Sequence, residues 1–594
     1  MSLRPLQGKV RPRNIAVYDL EWIPGNAEKA KRYGFEPMQL RLIGAYDGRR
    51  YVHFHDPRSF LNWACTAEHS GRWYYAHAGG LYDLAFLLEY IVDNPRNGVT
   101  VQCAFSGSAA IIVKVMRGRH AWYFVDSYWL IRQPLRDIGK WVGQEKGGSK
   151  ESTDHFYGPL PALIEYNEKD CRILYAAIRI FEASINKIGG QLQKTIASTA
   201  LDVFKRVFLK ETISTDETVN RAARIAYCAS RVEVFETDCR WADYYDVNSS
   251  FPYAMTFPAP GNLSRIGRSW KEKDIALVKA TVNIPTSERL PVTPYRDPND
   301  GRVYFPTGKW SSWFSSIDLQ FLEESGGRIE RVEEAKVFEP FHALKDYAET
   351  IYEWRKEAES EALKVVLKFL LNSLYGKFGE GSQKQKVLIN PPKDFFKIPE
   401  REPGGFGREM LMPGVHALVE NKVIAHAHVP ISVHITAIAR RVLGNYLRQS
   451  PRVYYCDTDG FAVPHTFSYP TSNKLGGLKL EKHVYEAKFL APKLYAYRKD
   501  EEQNWTVRGK GFSRILDRKT GETHALNYED FKFLIEHKDL HLEQFARLRT
   551  LWKSGDTTPR EIEQTKTWRG VVRTKRRMLD EGGSVPWNVK ELQT

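Results

Sequence analysis

The chain has 594 residues, which exceeds the roughly 250–300 residues that one hydrophobic core serves, so several subdomains are expected. Its 42% apolar and 13% aromatic content excludes a disordered chain. Lysine and arginine number 87 against 72 acidic residues, and the net charge of +15 favours a polyanionic partner such as nucleic acid.

The six cysteines are scattered through the chain without a CxxC pair, which indicates neither a zinc site nor a disulfide framework. The first residues lack the apolar core of a signal peptide, and no run approaches the ~20 apolar residues of a membrane helix. We therefore expect a cytoplasmic protein that makes no membrane contact and acts as a monomer.

The first carboxylate pair stands at the end of a predicted strand. Residues 15–20 are apolar and predict a buried strand that carries Asp19 and Glu21 on one face. Two such carboxylates repel each other unless a cation lies between them, and a pair of Mg²⁺ ions is the usual solution in nucleases. For these two residues alone, a solvated strand end is the favoured alternative.

Two further segments carry groups of the same kind. Asp83 comes just before an apolar helical stretch, while Tyr166 and Asp170 lie four residues apart on a second predicted helix and share a face. A hydroxyl beside a metal-binding carboxylate can orient an attacking water, as phosphodiester hydrolysis requires. Each of these features is weak evidence by itself.

A second carboxylate cluster is predicted from two distant strands. Asp246 ends a short β-type run, and Asp457 and Asp459 lie on a tight turn between two apolar runs, which predicts a hairpin. Three carboxylates from two strands can hold two Mg²⁺ ions and neutralise a leaving pyrophosphate. A turn of this composition is, taken alone, more often an ordinary turn.

The segment between these carboxylates predicts one helix from about Tyr352 to Tyr375 that stops at Gly376. At about 100° per residue, Lys364, Lys368, Asn372 and Tyr375 fall within an arc of roughly 80°. A basic, polar face that ends in an aromatic ring suits an incoming triphosphate. Solvated lysines are the alternative.

In this order, the motifs resemble those of family B DNA polymerases with a DEDDy 3′–5′ exonuclease domain. DVNSSFP resembles DxxSLYP, LKFLLNSLYG resembles KxxxNSxYG, and YCDTDG resembles YxDTDS. Lys493-Leu-Tyr495 resembles the KxY motif, and TAIAR, with Thr436 and Arg440, matches a primer-template motif of protein-primed members. The resemblance runs from Asp19 to Tyr495 and so covers most of the chain.

The resemblance implies a role for each matched residue, with two Mg²⁺ ions per site and Mn²⁺ as a substitute. The implied catalytic and metal-binding residues are Asp19, Glu21, Asp83, Asp170 and the water-positioning Tyr166 in the exonuclease, and Asp246, Val247, Asp457 and Asp459 in the polymerase. The implied nucleotide-binding residues are Lys356, Lys364, Lys368, Asn372, Tyr375, Phe251 and Val247. The implied DNA-binding residues are Lys493, Tyr495, Thr436, Arg440, Ser127, Tyr227, Arg231 and Lys150, with Lys146 as the alternative to Lys150.

Some positions depart from the family pattern. Ala78 stands where the second exonuclease motif carries an Asn that helps hold the single-stranded 3′ end, and Tyr128 follows Ser127 where Leu is usual. Phe251 replaces the Tyr that blocks a ribose 2′-OH, so an aromatic wall remains. Ala229 and Ser230 replace the glycines of a YxGG linker motif.

The resemblance implies an RNase H-like exonuclease domain followed by a right-hand polymerase, a multidomain α/β and α+β fold. The expected divisions are exonuclease 1–188, palm 189–253 and 425–498, insertion one 254–345, fingers 346–377, insertion two 378–424 and thumb 499–594. The Pro- and Gly-rich stretch 389–407 argues against regular structure within insertion two.

Two insertions at these places mark the protein-primed branch, which implies a viral, linear-plasmid or mobile-element genome. The expected partners are a DNA primer-template, deoxynucleoside triphosphates and a terminal protein primer, and the expected location is then the host cytoplasm. Three alternatives stay open: a stand-alone exonuclease with a DNA-binding appendage, a catalytically inactive replication scaffold, and a primer-independent polymerase of a mobile element.

Overall fold

The fold is given by a computed structural model that describes residues 1–23, 38–80, 82–107, 109–144, 157–568 and 575–593. None of the helices in these ranges has the length and apolarity that crossing a bilayer requires.

The N-terminal region is built on a mixed sheet whose central strands are parallel. Strand β2 pairs in parallel with β5, and β5 with β8, so all three end at the same edge of the sheet. Helix α4 packs across β2 and β3. The elements are β1 (Ser2–Leu3), β2 (Ile15–Trp22), β3 (Leu40–Tyr46), β4 (Tyr51–Phe54), α1 (Pro57–Ala64), β5 (Trp73–Ala76), α2 (Asp83–Asp93), β6 (Val99–Ser106), β7 (Ala109–Arg117), β8 (His120–Asp126), α3 (Leu135–Trp141) and α4 (Leu160–Lys187).

A connecting region then leads into the central strand of the second large sheet. Strand β11 is mostly aromatic and apolar, and it carries Asp246 just before its end. The elements are α5 (Ile196–Val203), β9 (Ile213–Ser214), α6 (Glu217–Ala226), β10 (Val232–Val234), β11 (Asp238–Val247) and α7 (Ser250–Ala254).

The segment predicted as insertion one is ordered, and most of it forms an antiparallel sheet in the order β12-β17-β13-β16. Its elements are β12 (Ala259–Gly267), β13 (Ile275–Ile284), β14 (Tyr295–Arg296), β15 (Val303–Tyr304), β16 (Gly308–Ser315), α8 (Ser316–Glu324) and β17 (Arg328–Phe341).

The predicted single helix from Tyr352 to Tyr375 is wrong, because the structure has helices α9 (Ala343–Glu357), α10 (Glu361–Ser373) and α11 (Tyr375–Phe378). The break occurs where the Ser360 hydroxyl caps the start of α10 by accepting the N–H of Leu363 at 3.2 Å. The Tyr347 hydroxyl donates to the Leu370 carbonyl at 2.8 Å and ties α9 to α10.

The segment predicted as insertion two extends the N-terminal sheet. Strand β18 pairs with β6, and β20 and β19 follow, so ten described strands form one sheet. Between β18 and β19 the Pro- and Gly-rich stretch contains one short 3₁₀ helix, Lys393–Lys397. The strands are β18 (Gln383–Ile389), β19 (Gly407–Met412) and β20 (Val415–Asn421).

The second large sheet is antiparallel in the order β10-β21-β22-β11-β23-β24-β25. The side chains of Tyr245, Phe461 and Leu443 share a buried core between this sheet and helix α12. The elements are α12 (Val429–Gln449), β21 (Tyr455–Asp457), β22 (Gly460–Pro464), β23 (Leu478–Ala491), β24 (Leu494–Arg498) and β25 (Thr506–Gly509).

The C-terminal region forms a smaller sheet in the order β27-β26-β28-β29. Its elements, with those that follow it, are β26 (Ile515–Leu516), β27 (Thr523–His524), α13 (Tyr528–His537), β28 (Asp539–Phe545), α14 (Leu548–Lys553), β29 (Glu561–Thr567), β30 (Arg576–Met578), β31 (Ser584–Pro586) and α15 (Val589–Gln593).

Candidate active sites

The carboxylates predicted for hydrolysis meet at one edge of the N-terminal sheet. They line a cavity of about 330 Å³. Glu21, Asp83 and Asp170 are each at most 4% exposed. The backbone N–H of Leu20 donates to Asp83 Oδ1 at 2.9 Å, which joins the start of α2 to the end of β2. The cavity is lined by Asp19, Leu20, Glu21, Trp22, His77, Tyr82, Asp83, Leu135, Tyr166 and Asp170.

Asn167 holds the two carboxylates of β2, and the sequence analysis did not single it out. Its amide donates to Asp19 Oδ2 at 3.3 Å and to Glu21 Oε1 at 3.1 Å. Its carbonyl oxygen accepts the Tyr51 hydroxyl at 2.9 Å, which fixes the orientation of the amide. The available signal was its position three residues before Asp170, which places both on one face of α4.

Burial in this cluster disfavours ionised carboxyl groups. It raises the pKa of Asp83 to about 7, although the N–H of Leu20 acts in the opposite direction. Burial also raises the pKa of Asp126, at the end of β8, to about 6. Carboxylates that are costly to ionise alone are stabilised by a cation among them, so the donor set fits divalent metal ions.

Ser127, which was predicted to contact the single strand, lies beneath the surface beside the cavity, and its contact with DNA stays a prediction. Its side chain is fully buried, and its hydroxyl donates to the Ala76 carbonyl at 3.0 Å and lies 2.9 Å from His77 Nδ1. Ser127 therefore orients His77, which lines the cavity. The next residue, Tyr128, is 44% exposed. Lys150 and Lys146 lie outside the described residues.

The three carboxylates predicted for synthesis meet on the second large sheet. Asp246 of β11 is in register with Gly460 of β22, and the N–H of Val247 donates to the Asp459 carbonyl at 3.0 Å. Thr458 takes φ = 67°, a left-handed conformation that sharpens the turn between Asp457 and Asp459. Val247 is buried and apolar, so only its backbone can take part in a metal or nucleotide site.

The charges at this second cluster are coupled. Burial, followed by the neighbouring Asp246 and Asp457, raises the pKa of Asp459 to about 7. Burial likewise raises the pKa of Asp246. Asp457 has a cationic partner, since Lys493 Nζ donates to its Oδ1 at 2.5 Å. This carboxylate group also fits divalent metal ions.

Two aromatic rings stack beside these carboxylates. The rings of Phe251 and Tyr375 lie 4.4 Å apart between centroids and 14° from parallel. On α10, Lys368 and Asn372 are exposed and Lys364 is half-buried, so the polar face predicted for this segment is accessible. Lys356 lies near the end of α9, on the other side of the helix break from Lys364 and Lys368, and forms an ion pair with Glu353 at 3.1 Å.

Three residues predicted to contact DNA are buried and bonded to protein in this structure, and their contact with DNA stays a prediction. Arg440 is 4% exposed and donates to Asp318 Oδ2 at 2.8 Å and to the Cys228 carbonyl at 2.6 Å. Thr436 donates to the Ser432 carbonyl at 3.0 Å.

Arg231 is the third of them, and it pairs with the fully buried Glu233 at 2.6 Å. Its backbone carbonyl accepts the N–H of Thr458 at 2.9 Å, so it supports the carboxylate turn.

The other predicted DNA contacts lie closer to the surface of the site. Tyr227 is half-buried, and its ring is close enough to Gly379 that a side chain there would collide with it. Tyr495 packs against Tyr455 with 5.4 Å between ring centroids. Its neighbour Lys493 has φ = 65°, and its N–H donates to the Tyr455 hydroxyl at 2.9 Å.

Comparison with known proteins yields a consistent set of similarities. Residues 150–406 match the family model described as DNA polymerase type B, organellar and viral. The chain is 26% identical over 386 residues to a probable DNA polymerase of Neurospora intermedia, covering 60% of this chain and 40% of that protein. It is 25% identical over 500 residues to the DNA-directed DNA polymerase of Enterobacteria phage PRD1, covering 81% and 82% respectively.

The solved structures extend this similarity to the fold. Phi29 DNA polymerase, complexed with primer-template DNA and incoming nucleotide substrates, aligns with a TM-score of 0.70 at 16% identity, covering 94% of this chain and all of that one. The predicted fold class is thereby confirmed. The matched region spans less than half the length of the Neurospora relative.

Proposed function

We propose that this chain, a relative of the organellar and viral type B DNA polymerases, is a DNA-directed DNA polymerase with 3′–5′ exonuclease activity. The observation that carries the proposal is the meeting of Asp246 with the Asp457–Asp459 turn, where Asp459 is near enough to Tyr375, just after the lysine-bearing helix α10, to interact with it electrostatically. Two strands more than 200 residues apart in sequence thus deliver three carboxylates to one place.

The nucleotide is proposed to bind between this turn and helix α10. Lys364, which is half-buried, and the exposed Lys368 would pair with the triphosphate, because two ammonium groups on one helix face suit clustered phosphate oxygens. Asn372 and the stacked rings of Phe251 and Tyr375 would contact the base and sugar. The Phe251 ring supports a preference for deoxynucleotides, since it presents an apolar edge where a 2′-OH would need a partner.

Both carboxylate groups are proposed to hold Mg²⁺. Asp246, Asp457, Asp459 and the Val247 carbonyl would bind it for synthesis, and Asp19, Glu21, Asp83 and Asp170 for hydrolysis. Bound Mg²⁺ supplies charge neutralisation at phosphate and lowers the pKa of an attacking oxygen. The protein contributes the placement of the carboxylates, through Asn167 at one site and through Lys493 and Arg231 at the other.

Tyr166 is proposed to position the attacking water for hydrolysis. It lines the same cavity as the four carboxylates and lies one turn of α4 before Asp170. His77, oriented by Ser127, is proposed to face the 3′ end at the cavity mouth.

We also propose that synthesis can start from a hydroxyl group of a terminal protein. Support comes from the resemblance of the motifs to protein-primed members and from the two ordered segments that interrupt the polymerase region. The test incubates the enzyme with one labelled deoxynucleotide, Mg²⁺ and an extract of the source cells. A protein band that carries nuclease-resistant label supports the proposal, whereas label confined to extended oligonucleotides contradicts it.

The main activity is tested by primer extension on a labelled primer-template with Mg²⁺, with and without the four deoxynucleotides. Extension with nucleotides and shortening without them is the expected result. Degradation under both conditions would favour the alternative, an exonuclease with a DNA-binding appendage. A protein that binds the DNA and leaves it unchanged would indicate an inactive scaffold.

A further inference from the structure

A group of metal-binding side chains lies on the second large sheet, on the face opposite the catalytic carboxylates. Along β11, successive side chains alternate between faces, so Asp243 shares its face with Tyr245 and opposes Asp246. Tyr245 packs into the core against α12, and Tyr244 packs on the other face under Lys482. Asp243 is therefore separated from the catalytic cluster by the thickness of the sheet.

Two histidines from the strands on either side of β11 meet this aspartate. His465, next after β22, places Nδ1 at 2.9 Å from Asp243 Oδ1, and His483 of β23 places Nδ1 at 2.7 Å from the same oxygen. The Asp243 side chain is 4% exposed, while the histidines are 54% and 64% exposed. The group thus joins a fixed, buried carboxylate to two imidazoles that solvent can reach.

The distances suit a cation with little rearrangement. The three ligand atoms lie within 4.8 Å of one another. Around a tetrahedral ion with bonds of about 2.05 Å, ligand atoms stand about 3.3 Å apart, so each Asp–His pair would open by roughly half an ångström while the two imidazoles adjust around the ion. Two imidazole nitrogens and one carboxylate oxygen are a donor set preferred by Zn²⁺ and its first-row neighbours over Mg²⁺.

We propose that Asp243, His465 and His483 form a binding site for a first-row divalent cation, with Zn²⁺ the preferred ion. The three protein ligands leave at least one coordination position to water. The ion would cross-link β22, β11 and β23, and two of these strands adjoin the catalytic carboxylates: Asp246 lies three residues after Asp243, and Asp459 directly precedes β22. The site would therefore stabilise the strands on which synthesis depends.

Sequence alone gives little indication of this site. The ligands are separated by 222 and 240 residues from Asp243, and none belongs to a short metal-binding motif. Only the antiparallel register of the sheet, which sets Asp243 opposite His483, brings them together.

The competing explanation is that the imidazoles simply donate hydrogen bonds to a buried carboxylate. A Co²⁺ titration of the full-length, tag-free protein distinguishes the two, with 10 mM Mg²⁺ present to occupy the oxygen-ligand sites. We expect one Co²⁺ per chain with the visible absorption of a low-coordinate imidazole-bound ion, displaced by stoichiometric Zn²⁺. Each of His465→Ala and His483→Ala should weaken binding at least tenfold.

A matched control is available in the same chain. His524 is an exposed histidine whose ring lies 2.9 Å from the carboxylate of Asp530. His524→Ala should leave Co²⁺ binding unchanged. The proposal is overturned if the wild type takes up no stoichiometric Co²⁺, or if both histidine variants bind it as the wild type does. Both histidines are exposed, so these variants are expected to fold, and circular dichroism checks that they do.

Discussion

The two carboxylate clusters are held in different ways. Among the described residues of the N-terminal cluster, neutral groups donate to the acids: the Asn167 amide reaches Asp19 and Glu21, and a backbone N–H reaches Asp83. In the second cluster, an ammonium group performs this task, since Lys493 pairs with Asp457 on an accessible turn. The N-terminal cluster is thus preorganised by the fold. In the second cluster, the phosphates of a nucleic acid can compete with Asp457 for the ammonium group of Lys493.

Because the two clusters lie on different sheets, we expect that a substitution in one cluster abolishes one activity and leaves the other intact. Asp459→Ala removes a carboxylate of the turn and should abolish synthesis while hydrolysis continues. Asp19→Ala should abolish hydrolysis while synthesis continues, because the clusters belong to different sheets. Primer extension and primer degradation measure the two rates. Loss of both activities in either variant, with the fold retained, would contradict the assignment of two sites.

The second prediction concerns the neutral donors. Asn167→Ala should lower hydrolysis by about 10–100-fold, the usual cost of losing a group that orients metal ligands, with synthesis unchanged. Asn167→Asp should lower it further, because it adds a negative charge among buried acids. Asn62, an exposed residue of the same region, provides the control Asn62→Ala. Wild-type hydrolysis in Asn167→Ala would show that the fold alone holds Asp19 and Glu21.

The carboxylates were predictable from sequence because each sits in a short local string. Asp19, Asp246 and Asp459 accompany strand-forming runs, and although each string is weak alone, their order along the chain resembles the motifs of one family. The support around them was not predictable in the same way. The sequence pattern around Arg440 is typical of a DNA-binding motif. In the structure, however, Arg440 is buried and pairs with Asp318, which is 122 residues away in sequence.

Other failures have the same origin in tertiary structure. One helix was predicted through residue 360, but α9 ends at Glu357 and Ser360 caps the start of the next helix, α10. Strands β18–β20 could not be assigned to the N-terminal sheet, because the exposed edge of β6 is known only once that sheet has formed. Local pattern therefore predicted which carboxylates meet in the structure, and long-range packing determined what orients them.

A third prediction uses opposite pH responses of the two regions in EDTA. Burial lowers the pKa of His428 and of His434, at the start of α12, to about 4. Each imidazole stays neutral in the folded protein but is protonated in the unfolded chain below about pH 6.5. The free energy of unfolding therefore decreases as the pH is lowered, by about 2 kcal/mol for each histidine at pH 5. Asp83 behaves in the opposite way, because a raised pKa of about 7 favours the folded, protonated form as pH falls.

Hydrogen exchange measured by mass spectrometry at pH 7 and pH 5 tests this contrast, after correction for intrinsic exchange rates. We expect α12 to lose protection at pH 5 and the β2–α2 junction to keep or gain it. His428→Gln should reduce the loss in α12, provided that the amide keeps the bond to the Gly261 carbonyl. A parallel loss in both regions would show that these buried groups do not control local stability.

The smallest expected effect concerns the grip of the hydrolytic site on its strand. Ala78 takes φ = 58°, a left-handed conformation that is strained for Ala and tolerated by Asn. Ala78→Asn should therefore fit the backbone and place an amide next to His77. One added hydrogen bond from this amide to the strand, worth about 0.5–1.5 kcal/mol, corresponds to a rise of about 2–12-fold in the degradation rate. The measurement is the degradation rate of a single-stranded 3′ end, and Ala78→Gly, which relieves the backbone without supplying an amide, is the control. An equal rise in both variants would assign the effect to the backbone conformation at residue 78. A rise in Ala78→Asn alone would show that the added amide binds the strand.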